Sequence, residues 1–349
     1  MPKISVIIPV YNVGKYVGTC LESILGQTFN DYEAIVVDDG STDDSSKICD
    51  AFAQRDARIK VFHIPNGGVS GALNVGISHA SGEWLYFVDG DDWIEEKSLE
   101  MMMSRIQKET AIDVLCFNNY VNTDREEKNV PMQERFWMGK DVDILVAATI
   151  FPKYIEKKYN VLLPVIRCRW SKMIRKQLVV DNDIHFKTEL TLGQDADFCA
   201  EVLAKAKCVY TCNDYLYHYR LFNESNSNKY REKWGHLTYR ISYLNSNDAV
   251  SKNKDFNEVK VLLVLSLVKA LLIRFLCHPE CKKGFNERNE ILKEFLLSKE
   301  IECSFSLVSI MFVLPVYIPF LLLLKFKMTR TFLCVGKLFY RIKLPFAHS

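Results

Sequence analysis

Net charge is almost absent from this 349-residue sequence. Lys and Arg number 45 and Asp and Glu 43, which leaves a formal charge of +2 at pH 7. Proteins that bind nucleic acid use an excess of Lys and Arg to neutralise its phosphates. The near balance therefore argues against a nucleic-acid partner. The apolar fraction of 48% also argues against intrinsic disorder.

The sequence has no disulfide or zinc framework. Its 11 cysteines are an odd number and lie scattered along the chain. Cys208 and Cys212, like Cys277 and Cys281, are separated by three residues, but neither pair has a partner pair or a histidine at zinc-ligand spacing. The start of the sequence shows no charged stretch followed by a long apolar run, as a secretion signal would. The simplest interpretation is a protein of the reducing cytosol.

Two common glycine motifs are missing as well. The first apolar run, residues 4–8, is not followed by the glycines that bind a dinucleotide, and no Gly-rich loop ends in Lys-Ser or Lys-Thr. Hydride transfer and ATP hydrolysis are therefore disfavoured.

What the sequence does contain is a regular alternation of short apolar runs and amphipathic segments. Strand-like runs at residues 4–8, 34–37, 59–62 and 84–88 are separated by segments in which apolar residues follow helical spacing. This order is typical of right-handed β-α-β crossovers. It predicts an α/β fold, a mostly parallel sheet flanked by helices, whose polar strand ends meet at one crevice.

Acidic residues cluster at two of these predicted strand ends. Asp38 and Asp39 follow the second strand, and Asp89, Asp91 and Asp92 follow the fourth. Mg²⁺ and Mn²⁺ prefer oxygen ligands and usually take one or two carboxylates together with substrate phosphates. A metal ion that offsets the repulsion between the two acidic turns is one interpretation. A solvated turn or a helix N-cap is the alternative for the second cluster.

Four motifs then identify a family by their order and spacing. They are VIIPVYN at 6–12, VVDDGSTD at 36–43, NGGVSGALNVG at 66–76 and FVDGDDW at 87–93. The sequence resembles the inverting glycosyltransferases of family 2, and the resemblance implies a GT-A type, Rossmann-like mixed sheet and a nucleotide-sugar donor. Three later segments resemble the acceptor-side motifs of the same family: WSK at 170–172, GQDADF at 193–198 and YHYR at 217–220. The likeness therefore covers about residues 3–225.

The resemblance implies a donor site at the strand ends. The segment Pro9-Val10-Tyr11 and Asp39 would contact the nucleotide base, with Asp38 nearby. Asp89 would approach the ribose. Asp91 would hold Mn²⁺ or Mg²⁺ against the diphosphate.

On the acceptor side, the resemblance implies that Asp195 is the catalytic base, which takes the proton of the acceptor hydroxyl. Two positions depart from the family pattern: Gln194 stands where Glu is usual, and Leu73 stands where Arg is frequent. A catalytically degenerate nucleotide-binding assembly partner is therefore an alternative function. A sugar nucleotidyltransferase is disfavoured, because no Gly-rich loop with Arg and Lys follows the first strand.

Three further side chains are candidates because of their chemistry. The guanidinium of Arg220 suits a bidentate phosphate contact with the donor, although a surface loop after an edge strand is an equal alternative. Trp93 and Trp170 are acceptor-side candidates, together with Gln194, because an indole ring can stack on a sugar. A core position is the alternative for either tryptophan.

The domain organisation follows from these patterns. We expect a catalytic domain at 1–235, with a nucleotide-sugar half at about 1–110 and an acceptor half at about 111–235. A helical extension at 236–300 and a membrane-associating tail at 301–349 complete the chain. The strongly apolar helix expected between Val259 and Leu276 would pack on the catalytic domain or on a second copy of the chain, which would make a homo-oligomer.

The tail combines apolar length with positive charge. The 22 residues from Cys303 to Leu324 carry no charge, but Pro315 and Pro319 interrupt them. The last 25 residues carry six Lys and Arg and no acid. We expect in-plane or re-entrant attachment to the cytoplasmic face of the cell membrane. A full span and a packed soluble tail are the alternatives.

These expectations together predict a metal-dependent, inverting hexosyltransferase. It would move a sugar from a nucleotide-sugar, in the first place a UDP-sugar, to a saccharide or lipid-linked saccharide acceptor. Surface polysaccharide biosynthesis is the expected context.

Overall fold

A computed structural model gives the structure of the protein. It describes residues 1–109, 111–123, 127–129, 131–190, 192–221, 234–299, 301, 328–331 and 333–334. The chain forms two units, one made of Met1–Thr188 and Gly193–Phe222 and the other of Glu189–Leu192 and Asn223–Ser349.

The first unit is built on a sheet of ten strands. These are β1 (Ile4–Val10), β2 (Tyr32–Asp38), β3 (Ile59–His63), β4 (Trp84–Phe87), β5 (Trp93–Ile94), β6 (Val114–Asn122), β7 (Glu127–Asn129), β8 (Arg135–Met138), β9 (Lys172–Arg175) and β10 (Cys208–Arg220). Their order is β3-β2-β1-β4-β9-β6-β10-β5, with β7 added to β6 and β8 to β10. The sheet is parallel from β3 to β4 and between β6 and β10, and β9 joins the two parallel parts in the antiparallel sense.

Helices of the first unit lie between these strands in sequence. They are α1 (Val17–Leu25), α2 (Ser45–Arg55), α3 (Val69–His79), α4 (Ser98–Lys108), α5 (Val142–Ile150), α6 (Pro152–Tyr159), α7 (Lys176–Asp181) and α8 (Gln194–Lys205). Glycine permits the close packing of α3 on the sheet, because a Cβ at Gly76 would stand 2.4 Å from Cγ2 of Ile7 in β1. The predicted α/β fold, a mixed and mostly parallel sheet flanked by helices, is confirmed.

The register of the first strands decides where the polar strand ends meet. Val10 of β1 pairs with Asp38 of β2, and Ile7 of β1 pairs with Phe87 of β4. The apolar parts of these strands are buried and need both faces of the sheet covered, so the polar residues appear only where the strands end. The carboxyl ends of β1, β2 and β4 therefore open on one edge of the sheet.

The second unit is helical in the part that the structure describes. Its helices are α9 (His236–Ser246), α10 (Asp248–Ser251), α11 (Lys254–Leu271), which continues into a π-helical turn at Leu272–Leu276, and α12 (Phe285–Leu297). Asn253 caps α11, because its side-chain oxygen accepts the backbone N–H of Phe256 at 2.9 Å. A C-terminal helical region was expected from the sequence and is confirmed.

Within the described residues, no helix combines the length and apolar character needed to cross a bilayer. The uncharged segment 303–324 and the basic end of the tail lie outside those residues, except for 328–331 and 333–334. Membrane attachment of the tail stays a prediction.

Candidate active site

Asp38 and Asp39, the first acidic pair, stabilise the loops at the edge of the crevice. The Asp39 carboxylate is buried and accepts the backbone N–H groups of Gly67 at 2.7 Å and Gly68 at 2.9 Å. The Asp38 carboxylate is also buried, and it accepts the Ser46 hydroxyl at 2.6 Å. Asp38 and Asp39 therefore fix the loops that surround the crevice.

Asp38 also pairs with a histidine. Nδ1 of His63 lies 2.8 Å from Oδ2 of Asp38. Burial alone would raise the pKa of Asp38, but hydrogen bonds from Ser41, Ser46 and His63 outweigh it and hold that pKa below its usual value. The same contact raises the pKa of His63. Asp38 is consequently ionised at neutral pH.

Side-chain to backbone hydrogen bonds join the loop after β1 to the loop after β2. Oδ1 of Asn12 accepts the N–H of Thr42 at 2.8 Å, and Oδ2 of Asp43 accepts the N–H of Gly14 at 2.9 Å. Asn12 itself has a positive φ of 52°, which asparagine tolerates better than most residues. The loop after β1 and the loop after β2, which carry the expected base contacts, are thus joined and form one wall of the crevice.

The expected base-contact segment lies on this wall. Val10 is buried, Pro9 is half-buried, and Tyr11 is 49% exposed. The Asp89–Asp92 turn approaches the same wall, because a Cβ at Gly90 would stand 3.1 Å from the carbonyl oxygen of Pro9. The structure therefore brings the expected donor residues to one place.

The three carboxylates after β4 have different surroundings. Asp92 is buried and accepts the Tyr217 hydroxyl at 2.6 Å and the N–H of Arg220 at 2.7 Å, so it anchors β10. Asp89 pairs with Arg169. The Asp91 carboxylate receives no hydrogen bond or ion pair from another residue in the part of the chain that the structure describes. Asp91 is thus the member of the cluster that is open to a ligand.

Arg220 lies directly beside Asp91. Its Nε donates to the Asp91 carbonyl oxygen at 2.9 Å. Its guanidinium stands 4.5 Å from the ring centre of Trp93 and 5.0 Å from that of Tyr16. These aromatic contacts hold a cation at the mouth of the carboxylate cluster.

A buried arginine connects the two halves of the crevice. Nη2 of Arg169 donates to Oδ1 of Asp89, and Nη1 donates to Oδ2 of Asp195. Burial alone would lower the pKa of Arg169, but Asp195 and Asp89 raise it above its usual value. Arg169 carries its charge and links Asp89, for which a donor contact is expected, to the candidate base Asp195.

Asp195 lies in the first turn of α8. That helix begins at Gln194, directly after Gly193, whose φ of 79° places it in the left-handed region. A negative charge in the first turn of a helix is favoured by the helix dipole. The turn at Gly193 therefore brings both Gln194 and Asp195 to the start of the helix, where Asp195 reaches Arg169.

The tryptophan candidates are held by aromatic neighbours. Trp170 is 7% exposed and stacks on Tyr217 with ring centres 4.6 Å apart. Trp93 is half-buried and stacks on His218 at 4.7 Å. An acceptor contact stays a prediction for both rings, and Trp93 is the more accessible of the two.

The structure shows the surroundings of Leu73, the residue that stands where the family pattern frequently has Arg. Leu73 is fully buried in α3. The next residue, Asn74, is bonded at both side-chain ends to the backbone of Phe186: it donates to the carbonyl oxygen and accepts the N–H, each at 2.8 Å. This turn of α3 is therefore a packing element in this chain, and the described residues supply Arg169 and Arg220 as cations of the crevice.

The electrostatics of the crevice suit a divalent cation. Burial raises the pKa of Asp89, Arg169 opposes that rise, and Asp91 and Asp195 add to it, so that the resulting pKa is about 6. Burial likewise raises the pKa of Asp91. A bound cation would offset both effects. The described residues contain no group of three or more His, Cys, Asp or Glu arranged to hold a metal ion, so phosphates of a substrate would have to complete the coordination of Mg²⁺ or Mn²⁺ at Asp91.

Comparison with known proteins establishes the class of the chain. A family model described as Glycosyl transferase family 2 matches residues 5–179, about half of the chain. The chain belongs to this family of glycosyltransferases, and the identification made from the four motifs is confirmed.

Individual relatives agree with this assignment. Glycosyltransferase GlyG of Streptococcus pneumoniae serotype 4 is 38% identical over 224 residues, which are 62% of this chain and 70% of GlyG. Glycosyltransferase GlyA of the same organism is 34% identical over 236 residues, 67% of this chain but 33% of GlyA. A crystal structure of S. aureus TarS in complex with UDP-GlcNAc is similar in fold, with a TM-score of 0.68 and 21% identity over 99% of this chain and 94% of the TarS chain.

Proposed function

We propose that the protein transfers a hexosyl group from a UDP-sugar to a saccharide or lipid-linked saccharide acceptor, with inversion and with Mn²⁺ or Mg²⁺ as cofactor. One observation carries the proposal: Arg169 pairs with both Asp89 and Asp195, so the donor-side cluster and the candidate base face the same crevice. Family membership supplies the reaction class.

The donor would lie along the strand ends. Its base would contact the wall that contains Pro9-Val10-Tyr11 and the loops fixed by Asp38 and Asp39. Its ribose would lie near Asp89, and its diphosphate near Asp91 and Arg220. The complex of TarS with UDP-GlcNAc supports a uridine nucleotide within this fold.

Asp91 is the residue that would hold the metal ion, because its carboxylate is open. When bound, a divalent cation neutralises the charge that develops on the departing diphosphate. Arg220 would add a second positive charge, since its guanidinium is already held next to Asp91. The negative leaving group is thereby stabilised within a partly buried crevice, where charge interactions are stronger than in water.

Asp195 would act as the base. A carboxylate that removes the hydroxyl proton of an acceptor, from the face of the sugar opposite the diphosphate, produces inversion in a single displacement. General-base assistance of this kind is typically worth about 10²–10⁴ in rate. Trp93 and Gln194 would contact the acceptor beside this base, and Trp170 would support them from the core.

We further propose that the enzyme works at the cytoplasmic face of the cell membrane in surface polysaccharide biosynthesis. The support is the sequence of the tail, in which an uncharged segment precedes six Lys and Arg without an acid. An acceptor linked to lipid would be presented at that surface.

Turnover on a panel of donors tests the proposal. UDP-glucose, UDP-galactose, UDP-GlcNAc, UDP-GalNAc and GDP-mannose would each be incubated with the full chain and Mn²⁺, Mg²⁺ or EDTA, and nucleotide release measured. We expect release from one UDP-sugar, at least roughly tenfold faster with metal than with EDTA. Binding of UDP without release from any donor, with or without a saccharide pool, would favour the degenerate assembly partner. Preference for GDP-mannose would overturn the uridine part of the proposal.

A further inference from the structure

Arg169 was not singled out by any motif, yet it has an unusual position. Its side chain is 6% exposed and lies between two carboxylates, Asp89 at 23% and Asp195 at 27% exposure. The loop after β4 supplies one carboxylate and the start of α8 supplies the other. Two half-buried like charges that share one guanidinium would repel each other without it.

The backbone around Arg169 is held by buried polar contacts. Lys172 is fully buried, and its Nζ donates to the Cys168 carbonyl oxygen at 2.8 Å. The Ser171 hydroxyl donates to the same oxygen at 2.8 Å, and the neighbouring Trp170 stacks on Tyr217. These contacts fix the 3₁₀ turn Arg169–Ser171. The guanidinium is consequently presented in one orientation.

The pairing leaves one carboxylate oxygen without a partner. Oδ2 of Asp195 is paired with Arg169, while Oδ1 is buried and has no hydrogen-bond partner among the residues that the structure describes. A buried polar atom without a partner is costly and therefore rare, so each one needs an explanation. An acceptor hydroxyl donating to Oδ1 would satisfy it. Arg169 thus fixes which oxygen of Asp195 remains available to the substrate.

We propose that Arg169 is a positioning residue: it holds the base Asp195 with Oδ1 free for the acceptor hydroxyl and ties that base to Asp89 in the donor site. The inference rests on the proposed function of Asp195. The proton moves from the acceptor oxygen to Oδ1 as the acceptor oxygen forms its bond to the sugar and the diphosphate leaves. Arg169 keeps its charge and proton throughout.

The test uses Arg169→Lys, which keeps a buried cation but loses the planar fork that reaches both carboxylates. Arg175→Lys is the matched control, because Arg175 at the end of β9 also lies between two carboxylates, Glu83 at 3.2 Å and Asp113 at 3.7 Å, at the opposite end of β4. With the best donor of the panel, we expect Arg169→Lys to lower kcat at least about tenfold and to change the Kd for UDP less than about threefold. Arg175→Lys should leave kcat within about twofold.

A double-mutant comparison separates positioning from a merely structural role. In an Asp195→Asn background, Arg169→Lys should lower the residual rate less than about threefold, because Arg169 acts through Asp195. Arg169→Ala should lower kcat more than Arg169→Lys; where the alanine variant does not fold, the lysine variant decides.

Two results would overturn the inference: wild-type kcat in Arg169→Lys, or the same fold-loss in both backgrounds. Absence of turnover in the wild-type protein would instead refute the proposed function, so the two failures are distinguishable.

Discussion

Replacement of Asp195 by Asn is expected to lower kcat by roughly 10²–10⁴-fold, the loss typical for removal of a general base. An asparagine has the shape of the aspartate, and its carbonyl oxygen can still accept from Nη1 of Arg169. It cannot take a proton from the acceptor. The Kd for UDP should therefore stay within about threefold of the wild-type value, because the donor contacts lie on the other side of Arg169.

The measurement is UDP release with the best donor, together with UDP titration by calorimetry. Asp181→Asn is a suitable control: Asp181 is an exposed carboxylate at the end of α7, bonded to Gln177. It should retain wild-type kcat. If Asp195→Asn also retains it, Asp195 is not the base and another carboxylate must be found.

The second large effect is expected for Asp91→Ala. Because this carboxylate receives no hydrogen bond or ion pair from another described residue, its removal should leave the thermal unfolding midpoint unchanged within about 2 °C, an order-of-magnitude bound for a change that breaks no such contact. The contribution of the metal ion to UDP binding should be lost, however. We expect the affinity for UDP in the presence of Mn²⁺ to fall to that of the wild-type protein in EDTA, and kcat to fall by roughly 10²–10³-fold, as for other losses of charge stabilisation.

Asp44→Ala provides the control for Asp91, since Asp44 is an exposed carboxylate paired only with Lys47 in the described residues. It should bind UDP and Mn²⁺ like the wild-type protein. An equal response of the wild-type protein and Asp91→Ala to EDTA would contradict the metal role of Asp91.

The first half of the fold could be predicted because three of its strands, β1, β2 and β4, are buried on both faces. Such strands appear as continuous apolar runs that end abruptly in polar residues, as β1, β2 and β4 do. The strands that complete the sheet gave weaker signals. β5 has two residues and β9 has four, and their pairing with β10 and β4 joins residues more than eighty positions apart. No local pattern specifies such pairs.

In the candidate site, too, local patterns could be predicted and contacts between distant residues could not. Motifs identified the carboxylates, but their surroundings separate Asp91, which is open, from Asp92, which is bonded to Tyr217. Those bonds depend on partners more than one hundred residues away. Arg169 was missed for this reason: its partners Asp89 and Asp195 are 80 and 26 residues away in sequence. The signal that was available is its place directly before the motif at 170–172.

The stereochemistry of the first product tests most directly whether Asp195 and the metal-held diphosphate act on opposite faces of the sugar. Proton NMR would follow the anomeric signal during the first minutes of turnover on an α-linked UDP-hexose. With Asp195 as base in a single displacement, the β-anomer must appear first. Initial formation of the α-anomer would require retention and would contradict this arrangement.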